Sequence, residues 1–298
     1  MNKFKAGFVT LIGKPNVGKS TLLNKLVGEK IAIISSHPQT TRNIIKGIVT
    51  FEEAQIIFLD TPGIVKVSQA KTPMDKKVIE RAFKTLEGVD VAAFIAGPEE
   101  ASSEDIFVIN NLKGLKNPVL LIINKIDKIK KPLLEPLIES YRDIFPFKQI
   151  IPISAKNGTN LSILVGELIR YLPVHPPYYP SDLFTDQAEN ILVAELIREK
   201  VFALTHQEVP YSVLVKVKQF EERKKDLIYI NAAIYTEYSS QKGILIGKSG
   251  GMIKEIGKLA RKDIEERLGC RIYLDLRVGV KKKWRKRKES LRELEYGM

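Results

Sequence analysis

A doubly wound α/β domain followed by a smaller α+β domain is the fold class that this sequence predicts, on three observations. Short β-rich apolar runs alternate with segments of helical period from Gly7 to about Leu172, the signature of parallel βαβ units. A proline-rich break follows, carrying Pro173, Pro176, Pro177 and Pro180. Beyond it the periodicities run α-β-β-α-α-β. The chain has 298 residues, 44% of them hydrophobic, which is more than one core usually holds and enough apolar material to order two.

The first region supplies five strand-like runs, GFVTLIG, AQIIFLD, VAAFIAG, VLLIINK and QIIPIS, and clear helical segments in STLLNKLVG and LSILVGELIRYL. Several runs end where a polar motif begins, at the strand ends where open α/β sheets bind ligands. The prolines forbid helix continuation and favour a stiff, extended connector. The boundaries read from sequence are 1–172, a linker at 173–185, a second domain at 186–280 and a tail at 281–298. Asp186, followed three residues later by Glu189, has the spacing of a helix N-cap and its partner, opening ENILVAELIREKVFAL. YSVLVKVKQF and LIYINAAIYTEY alternate as strands, then GILIGKSGGMIKEIGKLARKDIEERLG and CRIYLDLRV complete the small domain.

Net charge is +13, and eight Lys/Arg against three Asp/Glu fall in residues 281–298 alone. Such a density points to a polyanionic partner, nucleic acid or an acidic membrane face, without choosing between them. No apolar run approaches the ~18 residues that span a bilayer, and the N-terminus runs straight into a functional loop, so a cytoplasmic address is expected. The single Cys270 has no Cys/His set around it and reads as a small core residue. His37, His175 and His206 are scattered and receive no catalytic role.

Gly13, Lys14, Pro15, Asn16, Val17, Gly18, Lys19 and Ser20 match G-x-x-x-x-G-K-[ST] between a strand and a helix that opens with Thr21. That context lets backbone N–H groups and the helix N-terminus wrap phosphates. Lys19 is expected on the β- and γ-phosphates and Ser20 on Mg²⁺. Asp60-Thr61-Pro62-Gly63 ends AQIIFLD, where Asp60 can hold the magnesium shell and the Gly63 amide can sense the γ-phosphate. Thr40 and Thr41 lie between these motifs; one of them, Thr41 by preference, should reach Mg²⁺ when the γ-phosphate is present.

Asn124-Lys125-Ile126-Asp127 follows VLLII and decides the base. The Asp127 carboxylate can accept from guanine's ring N–H and exocyclic amine together, whereas adenine offers no such pair. A site built this way rejects the analogue by ~10⁴ or more. Asn124 should brace the loop, Lys125 should lie along the purine, and Ser154-Ala155-Lys156 should close the pocket with the Ala155 amide toward the guanine oxygen. A metabolic phosphotransferase would leave N-K-I-D and S-A-K without a task.

In the second region Ile246-Gly247-Lys248-Ser249-Gly250-Gly251-Met252-Ile253 places a G-x-x-G between two helices. Ile244, Ile246 and Ile253 are the apolar residues available to bases beside it. Lys281, Lys282, Lys283, Trp284, Arg285, Lys286, Arg287 and Lys288 set seven cations around the only tryptophan, which suits phosphate attraction plus one stacking surface, or anionic lipid.

Taken together, these motifs resemble the translation-factor-class GTPases, and Gln39-Thr40-Thr41-Arg42 narrows the resemblance to the TrmE-Era-EngA-like branch and its Era family. The proline-tyrosine linker (Pro176, Pro177, Tyr178, Tyr179, Pro180) and the α-β-β-α-α-β order extend it over nearly the whole chain. It implies an α/β doubly wound P-loop GTPase domain followed by a smaller α+β KH domain of type II. It also implies GTP hydrolysis with GTP/GDP and Mg²⁺, in which Lys19, Thr41, Gly63 and Asn16 are the catalytic residues. Residue 64 is isoleucine where Ras-like enzymes carry a water-orienting glutamine, as is typical of this branch. Asn16 matches a position that ligates K⁺ in related members. The implied partners are the 3′ end of small-subunit ribosomal RNA and the small ribosomal subunit, gripped by Gly247, Lys248, Ser249 and Gly250, by a monomer with peripheral contact to the inner face of the membrane. The competing expectation is a membrane-recruited signalling GTPase whose C-terminal domain binds protein or lipid.

Overall fold

The computed structural model describes residues 3–35, 37, 40–70, 72–224 and 226–286. Gln39, Arg287 and Lys288 lie outside the described residues. By its contacts the chain divides into two units, Met1–Ala32 with Pro38–Asp186, and Ile33–His37 with Gln187–Met298.

The first unit is built on a six-stranded sheet of order β2-β3-β1-β4-β5-β6. Its elements are β1 (Lys5–Ile12), α1 (Lys19–Val27), β2 (Ile45–Thr50), β3 (Ala54–Asp60), α2 (Pro73–Lys84), β4 (Val91–Ala96), α3 (Ser103–Leu112), β5 (Val119–Ile123), α4 (Leu134–Arg142), β6 (Gln149–Pro152) and α5 (Leu161–Tyr171). All neighbours pair in parallel except β2, which runs antiparallel to β3. Every residue of β4 and β5 is buried, the condition of strands covered on both faces. One face packs Val9, Phe58 and Ile122 against Leu22 of α1 and Leu164 and Leu168 of α5. The other packs Phe94 and Leu121 against Ile79 of α2, Ile109 of α3 and Tyr141 of α4.

Local chemistry sets the helix starts. Thr72 and Asp75 form a reciprocal capping box before Pro73, and Ser102 and Asp105 form another at the start of α3, each satisfying two otherwise orphaned N–H groups. The linker prolines do not lead an unattached chain. Gln55 accepts from the Tyr178 and Tyr179 amides through Oε1 and donates to the Tyr179 carbonyl through Nε2. Asp186 does not cap a helix as its spacing suggests: its carboxylate takes Lys46 Nζ at 2.5 Å, and the next helix begins at Glu189 after Ala188.

The second unit carries α6 (Glu189–Leu204), a short α7 (Val209–Ser212), β7 (Leu214–Lys224), β8 (Leu227–Thr236), α8 (Ser239–Ile246), α9 (Gly251–Leu268) and β9 (Arg271–Val280). The sheet has the order β7-β8-β9, with β7 and β8 antiparallel and β8 and β9 parallel. Val193 and Ile197 of α6 and Ile256, Ala260 and Ile264 of α9 cover one sheet face through Ile230 and Ile234. Cys270 is half-buried just before β9 and not a core residue.

Two expectations for residues 281–286 are corrected here. Trp284 is fully buried and its indole Nε1 donates to the Ser212 carbonyl at 2.7 Å, so it offers no stacking surface. It is the one large apolar side chain in a run of cations, and withdrawing it from water while giving its N–H a buried acceptor is the stable solution. Arg285 is likewise engaged, pairing with the buried Glu237 through Nε at 2.9 Å and through a guanidinium nitrogen.

Candidate guanine-nucleotide and RNA sites

The phosphate loop forms because β1 delivers Gly13 to the sheet's carboxyl edge and Gly18 turns the chain into α1. Gly18 has φ +99°, and a Cβ there would lie 2.4 Å from Asn124 Nδ2, so only glycine lets the loop and the base-side motif approach this closely. Lys19 is buried, and its Nζ donates to the carbonyls of Gly13 at 3.0 Å and Lys14 at 2.9 Å. The ammonium is thereby held across the loop's mouth. Burial pushes its pKa down to about 8, against the pull of Asp60.

Asp60, at the end of β3, is fully buried, and its Oδ2 accepts from Ser20 Oγ at 2.6 Å. Thr41 Oγ1 lies 3.1 Å from the same Ser20 hydroxyl. Asp60 Oδ1 is buried with no hydrogen-bond partner among the described residues. A carboxylate with an unused oxygen beside two hydroxyls is a set of hard oxygen donors, which fits Mg²⁺. Burial raises the Asp60 pKa to about 6, opposed by the Lys19 charge and the Ser20 hydrogen bond.

Gly63 touches the loop directly: a Cβ on it would meet Pro15 Cα at 2.6 Å. The next amide, of Ile64, donates to the Gly13 carbonyl at 3.1 Å, and the Ile64 side chain is buried in the core. Residue 64 is therefore a packing residue with no reach to a water. Lys14 is pinned outside the loop, with Nζ 2.7 Å from the buried Asp105 carboxylate and 3.3 Å from Ser102 Oγ. Sequence reading missed this anchor. The S-x-x-D spacing announced the helix cap but carried no sign that Asp105 would also hold Lys14.

The base-side motifs converge on Asn124. Its Nδ2 donates to the Val17 carbonyl at 2.8 Å, while its Oδ1 accepts from the amides of Lys125 at 2.8 Å and Ala155 at 3.0 Å. The Ala155 amide, expected to face the guanine oxygen, is here donated to Asn124, so the S-A-K turn is fastened to the N-K-I-D loop by this bond. Lys125, at φ +66°, returns its Nζ to the Asn16 carbonyl. Asp127 is exposed, and Ser154 Oγ donates to it at 2.5 Å, which is the first cause holding its pKa below the usual carboxylate range. Ser154 thus fixes the orientation of the Asp127 carboxylate. Lys156 is exposed and Thr21 half-buried in the first turn of α1.

In the second unit the G-x-x-G joins α8 to α9. Gly247 has φ +70°, and a Cβ there would lie 2.8 Å from the Met252 backbone nitrogen. Ser249 and Gly250 are also left-handed, at φ +50° and +78°. This tight turn aims the opening of α9 at the loop, with Lys248 and Ser249 exposed beside it. Ile244 is exposed, and Ile246 and Ile253 are half-buried, a partly open apolar surface next to the turn. Lys282 and Lys283 are exposed, and half-buried Lys281 follows β9 directly, its amide donating to the Thr236 carbonyl at 2.8 Å. Among the described residues no helix is long and apolar enough to cross a membrane.

Comparison with known proteins agrees with the order of the two folds. Residues 8–125 match the family of 50S ribosome-binding GTPases, and residues 208–285 match the KH domain. GTPase Era of Halothermothrix orenii is 48% identical over 294 residues, covering 98% of this chain and 99% of the relative. GTPase Era of Geotalea daltonii is 47% identical over 296 residues, covering 99% and 98%. Among solved structures, Era in complex with MgGDPNP and nucleotides 1506–1542 of 16S ribosomal RNA superposes with a TM-score of 0.94 at 41% identity, covering 98% of this chain and 99% of that one. A variant of Aquifex aeolicus Era bound to GDP·AlF4⁻ gives the same values. With relatives this similar along the whole chain, and with a P-loop GTPase domain leading into a KH domain, this protein belongs to the Era family of GTPases.

Proposed function

We propose that this GTPase is an assembly switch for the small ribosomal subunit, binding the 3′-terminal region of its RNA through the G-x-x-G turn and releasing it after GTP hydrolysis. The observation that carries the reading is the likeness, along the entire chain, to an Era molecule crystallised with MgGDPNP and 16S ribosomal RNA. The site chemistry supports it. Asp127, oriented by Ser154, selects guanine; Lys19 neutralises the terminal phosphates; Ser20, Thr41 and Asp60 would hold Mg²⁺, which would offset the phosphates' charge. Thr41 and Gly63 are the groups whose contacts depend on the γ-phosphate, and only such differential contacts can shift a switch. With Ile64 buried, the attacking water falls to backbone and switch groups. Asn16, left-handed at φ +63° in the loop, is the proposed K⁺ ligand; equal turnover in K⁺ and Na⁺ would remove that role.

The G-x-x-G turn clamps the backbone of about four single-stranded nucleotides in KH modules, and the exposed Lys248 and the α9 N-terminus suit that task. The test is to crosslink the protein to total cellular RNA with GDPNP or with GDP and sequence the fragments. Enrichment of the 3′ end of small-subunit RNA with GDPNP supports the reading; identical maps, or none, refute it. Peripheral membrane contact has no comparable support, and flotation with anionic liposomes would be its test.

A further inference from the structure

The second unit's sheet has two faces, and the reading above uses only the helix side. Register puts Tyr229 opposite Tyr273, Asn231 opposite Asp275 and Ala233 opposite Arg277. These residues alternate with the core-facing Ile230, Ile234 and Ile272, so they share the outer face. On that face the rings of Tyr229 and Tyr273 stack with centroids 5.9 Å apart and planes 17° apart. The Arg223 guanidinium lies 3.7 Å from the Tyr229 centroid on the neighbouring strand. The result is a continuous row, guanidinium, ring, ring, crossing all three strands and ending at Tyr273 on the edge strand β9.

Tyr273 is 63% exposed, unusually open for a large aromatic on a sheet, and it is flanked along β9 by the exposed Arg271 and Arg277. Asp275 between them is engaged by Asn231 Nδ2 at 2.7 Å and Arg277 at 3.1 Å. Gly279 continues the pattern by leaving room for the Tyr235 ring, which a Cβ there would touch at 3.0 Å; Lys218 lies over that ring at 5.8 Å. Stacked rings beside Arg223, Arg271 and Arg277, with the carboxylates of Glu221 and Asp275 on the same face and scarcely any aliphatic surface, match the chemistry of an unpaired nucleotide: a base for the stack and phosphates for the arginines that are not already neutralised. A protein or lipid surface would call for aliphatic area that this face lacks.

We infer that the outer face of β7-β8-β9 is a second RNA-contacting surface, on which one unpaired base stacks on Tyr273 while Arg271 and Arg277 hold its flanking phosphates. The inference rests on the RNA-binding reading but uses the sheet face opposite the G-x-x-G helices.

The test measures binding of the GDPNP- and Mg²⁺-loaded full chain to a 16S RNA fragment equivalent to nucleotides 1506–1542 by fluorescence anisotropy. Tyr273→Ala should weaken binding by about 5- to 100-fold, the effect of losing one base–aromatic stack, and Tyr273→Phe should stay within about twofold of wild type. Arg271→Gln and Arg277→Gln should each reduce the slope of log affinity against log salt by about one. Trp284 fluorescence, reporting the second unit's core, should be unchanged in all of them. If Tyr273→Ala and both arginine variants bind as wild type does while Gly250→Asp loses binding, the sheet-face inference falls and the clamp stands. If wild type itself does not bind the fragment, both fall.

Discussion

Replacing Trp284 with phenylalanine separates two opposite roles for the cationic segment. The indole is fully buried and its N–H is held by the Ser212 carbonyl, in a residue itself fully buried. Phenylalanine removes that donor, leaving a buried acceptor at about 1–3 kcal/mol, and its smaller ring opens a void worth about 1–2 kcal/mol. Partial collapse brings the expected loss to about 2–4 kcal/mol. With a urea dependence of about 2 kcal/mol per molar, the transition of the second unit should drop by ~1–2 M. Far-UV circular dichroism can follow it, because the variant has no tryptophan left to report. Hydrogen exchange should localise the loss to amides of α7 and the adjoining β7. RNA affinity in the absence of urea should change little. An unchanged midpoint and unchanged protection, together with a tenfold or larger fall in RNA affinity, would refute the buried role and restore Trp284 to a binding surface.

The nucleotide site gives further expectations. Asn124→Ala removes three hydrogen bonds, about 3 kcal/mol at ~1 kcal/mol each, so GDP affinity by isothermal titration should fall about 100-fold. Asp127→Asn should abolish guanine selectivity, read as the loss of GTP's advantage over ATP in competition binding. Gly63→Ala forces a Cβ against the Pro15 backbone, and the displaced amide should slow single-turnover GTP hydrolysis by ~10- to 100-fold with GDP affinity nearly intact. Asp60 has a folded pKa raised to about 6, so the unliganded fold is most favoured below its unfolded value of about 4 and loses that contribution as pH rises through 6. Mg²⁺ needs the ionised form, so Mg²⁺ affinity in a titration with bound GDP should run the other way, about tenfold weaker at pH 5 than at pH 8.

How far the sequence could be read follows from where each determinant lies. The phosphate and base motifs were legible because each is contiguous and ends a strand, so spacing alone brings Lys19, Asp60, Asn124 and Ser154 to one edge. Strand β2 was not: IKGIVT carries Gly47 at its centre, a weak strand former. Its reason is tertiary, since a Cβ at Gly47 would sit 2.5–2.9 Å from Leu23, Val27 and Ile31 side chains. Asp186 presented a capping spacing and was claimed instead by Lys46, 140 residues away. Lys14 occupies a variable position of its motif, and only the fold brings Asp105 to it.

The same distinction explains the second unit. A G-x-x-G between helices is a local turn with local glycine requirements, and it forms where it was read. The row of Arg223, Tyr229 and Tyr273 comes from three strands and depends on register, so neither alternation nor composition reveals it. Register also accounts for the tail: once the Lys281 amide pairs with Thr236 at the end of the β8–β9 ladder, the chain carries Trp284 to Ser212 and Arg285 to Glu237. Charge density described that segment correctly as basic. Which of its side chains face solvent was decided by the single apolar group among them, because burying an indole outweighs the freedom of the cations beside it.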